Sequence, residues 1–488
     1  MRHDPSHEVV ALGLREPLEP EPGEHRVLRG RDRSLCCGPS HMSRCARRIA
    51  AAGRSGAGRS SHVRSSAVTT LRAPIRGPAS LVVRTVAVSD PGPLLGLLPE
   101  ASPLAWIRRG EGLVGWGRAA SFRTRGSGRF GHAERWWREL VGTAVVRDEV
   151  GLPGCGPVAF GSFAFDDGDA SSVLVLPDVV VGHRADRWWV TTVGVQGALP
   201  PGAALQRSTP FRRPDPVAFA DGALSGAEWE LVVAEAVSRI AGGKLDKVVL
   251  ARDLVAESPM PVDPRWPLAR LAERYPRCWT FSVDGLLGAT PELLVRLERG
   301  LVTSRVLAGT IRRTGDHAHD LALAASLAHS SKDLEEHEYA VSSVAGALTP
   351  HCSSMNVPET PFVLDLANVM HLATDVTGVA ADSSSSLTLA AALHPTAAVC
   401  GTPTDEAAAL ISEIEGLDRG RYAGPVGWID ASGDGEWGIA LRCAEIDPRD
   451  PARLRLFAGC GIVAGSDPEA ELAESVAKLV PMRDALTS

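Results

Sequence analysis

Residues 453–479 read RLRLFAGCGIVAGSDPEAELAESVAKL. The opening RLRLFAGCGIV alternates large apolar side chains with small or charged ones and predicts a β-strand. The strand is expected to end in a turn at Gly459-Cys460-Gly461, where missing side chains let backbone N–H groups approach an anion. Ser466-Asp467-Pro468-Glu469 then starts a helix, joining a capping-box pattern to an early proline. On that helix Glu471, Glu474 and Lys478 stand at i, i+3 and i+7 and share one face. Two carboxylates beside an amine can hold a hard cation and an acidic substrate together. The same spacing also suits a solvated Glu–Lys pair on an ordinary surface helix.

Lysine is scarce in this chain. Of 51 Lys+Arg, only four are lysine: Lys244, Lys247, Lys332 and Lys478. Arginine serves wherever a surface cation suffices, so the surviving lysines mark positions where arginine fails. Lysine sheds its proton when desolvated, and arginine does not. The net charge of −7 argues against a nucleic-acid surface over the whole protein. The 9 cysteines include no CxxC and no Cys/His zinc spacing. Apart from Cys36, Cys37 and Cys45 they are scattered, as reduced core thiols of a cytoplasmic protein would be. No run of about 18 apolar residues is present, so no membrane span is expected.

Residues 1–75 are an Arg/Ser/Gly-rich extension, expected to be disordered because such a composition cannot offset its ordering entropy. A basic arm and an Arg/Ser-rich targeting peptide are the other readings, the second opposed by acidic residues near the start. Residues 76–215 read as the first part of an α+β unit, with strands at SLVVRTVAV, PVAFGSFAFD and RWWVTTVGV and a helix at HAERWWRELVGTAVV. Residues 216–488 open on a capping box, Ser225 to Glu228. The helix that follows is expected to bury Trp229, Val232, Ala236 and Ile240. Strands are predicted at KVVLARDLVA, CWTFSV, LLVRLERG, LVTSRVLAG, HLATDVTGV, VGWIDA and GIALRCAEI. Their short connections favour antiparallel pairing.

With these segments in place, the C-terminal stretch resembles the signature of the chorismate-utilising enzymes: isochorismate, salicylate, anthranilate and aminodeoxychorismate synthases. Further motifs of that family follow in order: KVVLAR (247–252), TPEL (290–293), LAGT (307–310), SKDLEEH (331–337), MHLATDVTG (370–378), LHPTAAVCG (393–401) and RYAGPVGW (421–428). The resemblance is dense over 220–486 and looser over 80–210. It implies an α+β fold, a large sandwich of two antiparallel β-sheets with helices packed outside and the site in a cleft between the sheets.

By resemblance, Glu292 is the general acid that protonates the departing C4 hydroxyl of chorismate, and Lys247 the base that activates water for attack at C2. Burial would let Lys247 lose its proton near neutral pH. Taken alone, Lys247 also reads as a strand-edge charge and Glu292 as a helix N-terminal carboxylate. The resemblance places Mg²⁺ on Glu336 and Glu474, with Glu471 nearby. It assigns substrate contacts to Gly309, Thr310, His371, Tyr422, Arg442, Gly459, Gly461 and Lys478. His371 also reads as a satisfied core histidine. Arg442 interrupts an apolar strand, which is costly unless the charge is paired or bound.

Aminating relatives lack the lysine at position 247, and this chain has Ala308 and Gly401-Thr-Pro-Thr404 where they tend to carry further lysines. Water is therefore the expected nucleophile and isochorismate the expected product. Salicylate formation by subsequent pyruvate loss and a catalytically silent homologue are the alternatives. Ala397 and Cys400 depart from the usual motif. The expected partner is chorismate alone, with no nucleic acid and no membrane, on a monomer or weak oligomer. Whether the product feeds menaquinone, a siderophore or salicylate is left open.

Overall fold

The β-branched runs join into two sheets in the computed structural model, which describes residues 81–194, 205, 207–366, 369–381 and 383–487. The extension at 1–75, with Cys36, Cys37 and Cys45, lies outside the described residues. Among the described residues, a 13-stranded sheet runs from Ala218–Asp221 through Lys247–Glu257, Arg453–Val463, Cys443–Ile446, Leu286–Thr290, Trp279–Val283, Leu104–Arg108, Glu111–Trp116, Val179–Arg184, Arg187–Gly194 and Val82–Val88 to Val145–Asp148, with Gly401–Thr402 also paired to Lys247–Glu257. A 10-stranded sheet runs from Cys352–Asn356 through Val369–Ala380, Leu301–Arg312, Leu293–Glu298, Gly435–Ile439, Pro425–Asp430, Val158–Ser162 and Ser172–Leu176 to Ala120–Thr124, with Phe362–Asp365 also paired to Val369–Ala380. Neighbours pair antiparallel, except that Val82–Val88 runs parallel to Val145–Asp148. Leu104–Arg108 pairs with Trp279–Val283, and Val158–Ser162 with Pro425–Asp430, so segments from both sides of position 216 are woven into both sheets.

Strand periodicity sorts the core into layers. In Leu104–Arg108, Leu104 and Trp106 join an inner layer with Phe281, Phe160, Val295 and Trp437, drawn from both sheets. Ala105 and Ile107 face the other way, into a layer with Leu268, Leu271, Leu479, Met482 and Leu486 of the helices Arg265–Arg274 and Pro468–Thr487. Each such Leu or Phe contributes about 1.5–3 kcal/mol on burial. The indole N–H groups of Trp106 and Trp279 both donate to Glu436, at 2.7 and 3.2 Å, a polar tie between the sheets. Ser225 and Glu228 form the complete capping box that starts the helix Gly226–Ala241. That helix buries Val233, not Val232, beside Trp229, Ala236 and Ile240. No helix among the described residues is long and apolar enough to cross a membrane.

The chain changes sheets at two points, and one of them interrupts a segment expected to be continuous. GIALRCAEI divides into Gly435–Ile439 in the 10-stranded sheet and Cys443–Ile446 in the 13-stranded one. Leu286–Thr290 likewise belongs to the larger sheet and Leu293–Glu298 to the smaller. Arg442 lies in the first crossing and Glu292 in the second, so Arg442 is not a strand residue.

Candidate active site

A cavity of about 680 Å³ opens where these crossings meet the strands Lys247–Glu257 and Arg453–Val463 and the helix Ser331–Leu348. Lys247, Glu292, Glu336, Gly309, Thr310, His371, Tyr422, Arg442, Gly459, Gly461, Glu474 and Lys478 all line it. Glu471 does not. Its carboxylate is turned back to accept from the Ser466 hydroxyl at 2.7 Å.

Glu292 is held through its main chain. Its N–H donates to Thr290 Oγ1 at 3.2 Å and its C=O accepts from the Ile439 N–H at 3.2 Å, so both crossings share it. Its side chain is buried at 7 % exposure, and burial pushes the carboxyl up to about 7 against the opposing pull of Lys247, Arg442 and Lys478. Arg442 reaches the cavity from a left-handed backbone, φ 49°, a conformation uncommon for a side chain of this size. Among the described residues no carboxylate partners its guanidinium.

The LAGT segment owes its glycine to a bulge. Register slips between Ala308 and Thr310 where Leu301–Arg312 pairs with Val369–Ala380, and Gly309 takes φ 70° at the slip. The bulge aims Thr310 at His371, with Thr310 Oγ1 and His371 Nδ1 2.9 Å apart. Burial, then the charges of Arg442 and Lys478, push the imidazole down to about 3, so it is neutral. His371 Nε2 is buried without a hydrogen-bond partner and the ring lines the cavity, so His371 is not a satisfied core histidine.

Arg453–Val463 does not end in a Gly-x-Gly turn; it runs unbroken to Val463. Its glycines make room instead. A Cβ at Gly459 would lie 3.0 Å from the Tyr422 hydroxyl, and one at Gly461 would lie 2.8 Å from Lys247 Cε. Tyr422 stacks on Phe457 at 5.1 Å, and burial raises its phenol, which stays protonated. The helix Pro468–Thr487 is capped by Asp467, which accepts from the Ala470 N–H at 3.0 Å, while Ser466 serves Glu471. The expected Ser466–Glu469 box is therefore not formed.

Four charges on the cavity rim are paired. Lys247 Nζ donates to Glu336, their side chains 20 % and 33 % exposed. Lys478 Nζ lies 2.6 Å from Glu474 and donates to the Gly459 C=O at 2.9 Å. Donor atoms of Glu474, Glu471 and Cys460 lie within 4.8 Å of one another. Burial, with help from the Glu474 charge, raises the Glu471 carboxyl.

Sequence reasoning missed Arg419, Asp246, Asp333 and Phe457, which also line the cavity. Arg419 is buried and donates to Glu415, to the Val399 C=O at 2.9 Å and to the Val249 C=O at 2.7 Å. Its i,i+4 spacing from Glu415 is visible in sequence, but the carbonyls it ties belong to segments far along the chain.

The chain matches the family model described as chorismate binding enzyme over residues 106–487. It is 45% identical over 266 residues to isochorismate synthase DhbC of Bacillus subtilis (strain 168), a match that spans 52% of this chain and 66% of that relative. It is 35% identical over 415 residues to the salicylate biosynthesis isochorismate synthase of Pseudomonas aeruginosa, spanning 79% of this chain and 85% of that relative. The crystal structure of DhbC from Bacillus anthracis superposes with a TM-score of 0.66 at 32% identity, covering 80% of this chain and 98% of that one. The chain belongs to the chorismate binding enzyme family.

Proposed function

We propose that this enzyme is an isochorismate synthase, an isomerase that adds water at C2 of chorismate and expels the C4 hydroxyl. One observation carries the reading. A buried carboxyl group balanced near neutrality faces the same cavity as an amine and a guanidinium without a carboxylate partner. Hydroxide is a poor leaving group, and Glu292, half protonated at about pH 7, can supply the proton it needs. Lys247 would take the proton from the attacking water. The guanidinium of Arg442 suits a substrate carboxylate in fork geometry. Neutral His371 offers its unpartnered Nε2, and the Tyr422 hydroxyl stands beside the bare Gly459 backbone.

The donor set suits a hard divalent cation. Glu336 and Glu474 face one cavity and are balanced only by flexible lysines, while Glu471 sits close enough to Glu474 to be raised by its charge. Magnesium on these carboxylates would neutralise the ring carboxylate of chorismate and fix its register. Glu336, drawn to the cation, would release the Lys247 amine for its role as base. Cys460 contributes a thiol that burial pushes up to about 12, a poor ligand for so hard an ion.

The test is incubation of the protein with chorismate, with and without Mg²⁺, and chromatography of the products. Isochorismate formed only with Mg²⁺ is the expected result. Salicylate with pyruvate would move the protein to the salicylate synthases, and chorismate binding without turnover would make it a silent homologue.

A further inference from the structure

The proposed reaction leaves a proton account to settle. As the O–C2 bond forms, the water proton passes to Lys247. The two ring double bonds shift to carry the electron pair out with the C4 oxygen, and the Glu292 proton leaves on that oxygen as water. Each turnover thus ends with Lys247 protonated and Glu292 a carboxylate, the reverse of what the next one requires. Lys247 is partly exposed and returns its proton to solvent directly. Glu292 is buried, and a product bound in the cavity would cover its front.

Beside Glu292 lies a second, smaller chamber of about 20 Å³, enough for one water, which adjoins the main cavity at Glu292, Ala340, Ala397 and Ala398. Glu292 belongs to the walls of both spaces. Thr396, Ser304 and Ser343 line the chamber, and Ala397 contributes only a methyl group. The Thr396 hydroxyl is buried with no hydrogen-bond partner. Its main chain is fixed, the C=O accepting from the N–H groups of Val399 at 3.1 Å and Cys400 at 3.0 Å. Ser343, which shares the chamber wall with the buried carboxyl, is solvent-exposed on its helix. Arg305, also in its wall, is committed to Asp375 through two bonds of 2.7 Å.

We infer that Thr396 is a positioning residue that holds one water in this chamber, and that a solvent proton passes through this water to re-arm Glu292 while the product still fills the front of the site. The inference rests on the reading of Glu292 as the general acid. Per turnover one proton enters through the chamber and one leaves from Lys247, so the balance closes.

The test compares Thr396→Val, Thr396→Ser and Ser343→Leu in steady-state turnover of chorismate. Thr396→Val keeps the shape and the main-chain bonds but removes the hydroxyl; Ser343→Leu plugs the outer end and touches neither partner. Both are expected to lower kcat about tenfold, the loss of one hydrogen-bonded relay, with an unchanged KM and a larger solvent deuterium isotope effect on kcat. Thr396→Ser should restore all three. The alkaline limb of the kcat profile should fall at lower pH in Thr396→Val. That limb is set by Glu292 among Lys247, Arg442 and Lys478, with His371 and Glu336 across the cavity and Arg305 in the chamber wall. Wild-type kcat in both variants, or a lower kcat with an unaltered isotope effect, would overturn the relay. An active Glu292→Gln enzyme in the same assay would instead overturn the acid assignment beneath it.

Discussion

The cavity is built from two kinds of wall. On one side Glu292, Arg442 and Arg419 are set by main chain: two crossings between sheets and a loop whose arginine ties two distant carbonyls. On the other side Glu336, Glu474 and Lys478 stand on helices, where a side chain of several rotatable bonds reaches inward and finds an ion partner. Glu292 and Arg419 in the main-chain wall are buried, and burial raises the Glu292 carboxyl. The helical rim is partly exposed, and its charges are satisfied by pairing. On the proposed reading the two do different work: proton transfer needs a fixed distance and a shifted carboxyl, whereas capture of a cation and an anionic substrate needs donors that can turn toward them. Substitutions in the wall should therefore strike kcat or the fold, and substitutions on the rim should strike affinity.

The largest effect is expected at Glu292. Glu292→Gln keeps the shape and removes the transferable proton, so kcat should fall by about 10²–10⁴ while chorismate binding by calorimetry stays within a few-fold. Its pH behaviour has a definite sign. The folded carboxyl, about 7, lies above its ordinary 4.5, so the folded state binds the proton more tightly than the unfolded one. That contribution to stability is complete below 4.5 and lost as pH rises through 7. Thermal unfolding from pH 4 to 9 should show wild type losing ground to Glu292→Gln across that window. Parallel curves would mean that the wall does not desolvate this group. The kcat of wild type should decline over the same upper range, because the acid must be protonated.

Next in size is Glu415→Gln, which leaves the Arg419 guanidinium buried and without its carboxylate. Breaking one member of such a pair costs about 3–5 kcal/mol, read as a lower urea midpoint. The rim pair Lys478–Glu474 has the same i,i+4 spacing, yet Glu474 is 45 % exposed. Glu474→Gln should shift the urea midpoint very little and raise the Mg²⁺ needed for half-maximal activity on the order of tenfold. Equal stability losses at the two glutamates would erase the distinction between wall and rim.

Much of this was legible in the sequence, and the exceptions share a cause. Strands announced themselves by β-branched runs, and the Ser225–Glu228 cap by its residue types. The shared cavity of Lys247, Glu292, Glu336 and Glu474 followed from a resemblance to a family, since no local rule joins residues so far apart. Where expectation failed, tertiary contacts had decided the matter. IALRCAEI reads as one strand because each residue suits a strand; only the second sheet pulls it apart and puts Arg442 at positive φ. Gly459 and Gly461 read as an anion turn because glycine is permissive, whereas their real constraint is the nearness of Tyr422 and Lys247. Glu471 shares a helical face with Glu474 and lies close to it, but its carboxylate accepts from Ser466 and does not line the cavity. Thr396 stands inside the LHPTAAVCG motif, but its role was not legible there: an unpaired hydroxyl is defined by its surroundings.

The smallest predicted effect probes the rim without touching a charge. Ser330 caps the helix that carries Glu336, its hydroxyl accepting from the Asp333 N–H at 3.3 Å. Ser330→Ala should cost that helix about 1 kcal/mol. A cap on the wall would spread such a loss over two sheets. Here the first turn stands over the cavity, and fraying it loosens Glu336 while Glu292 and Arg442 keep their main-chain supports. The loss should therefore appear as a few-fold higher Mg²⁺ requirement and a faster amide exchange over residues 331–337, with kcat at saturating Mg²⁺ unchanged. A fall in kcat that Mg²⁺ does not repair would mean that the helix also fixes the acid, and that wall and rim act as one body.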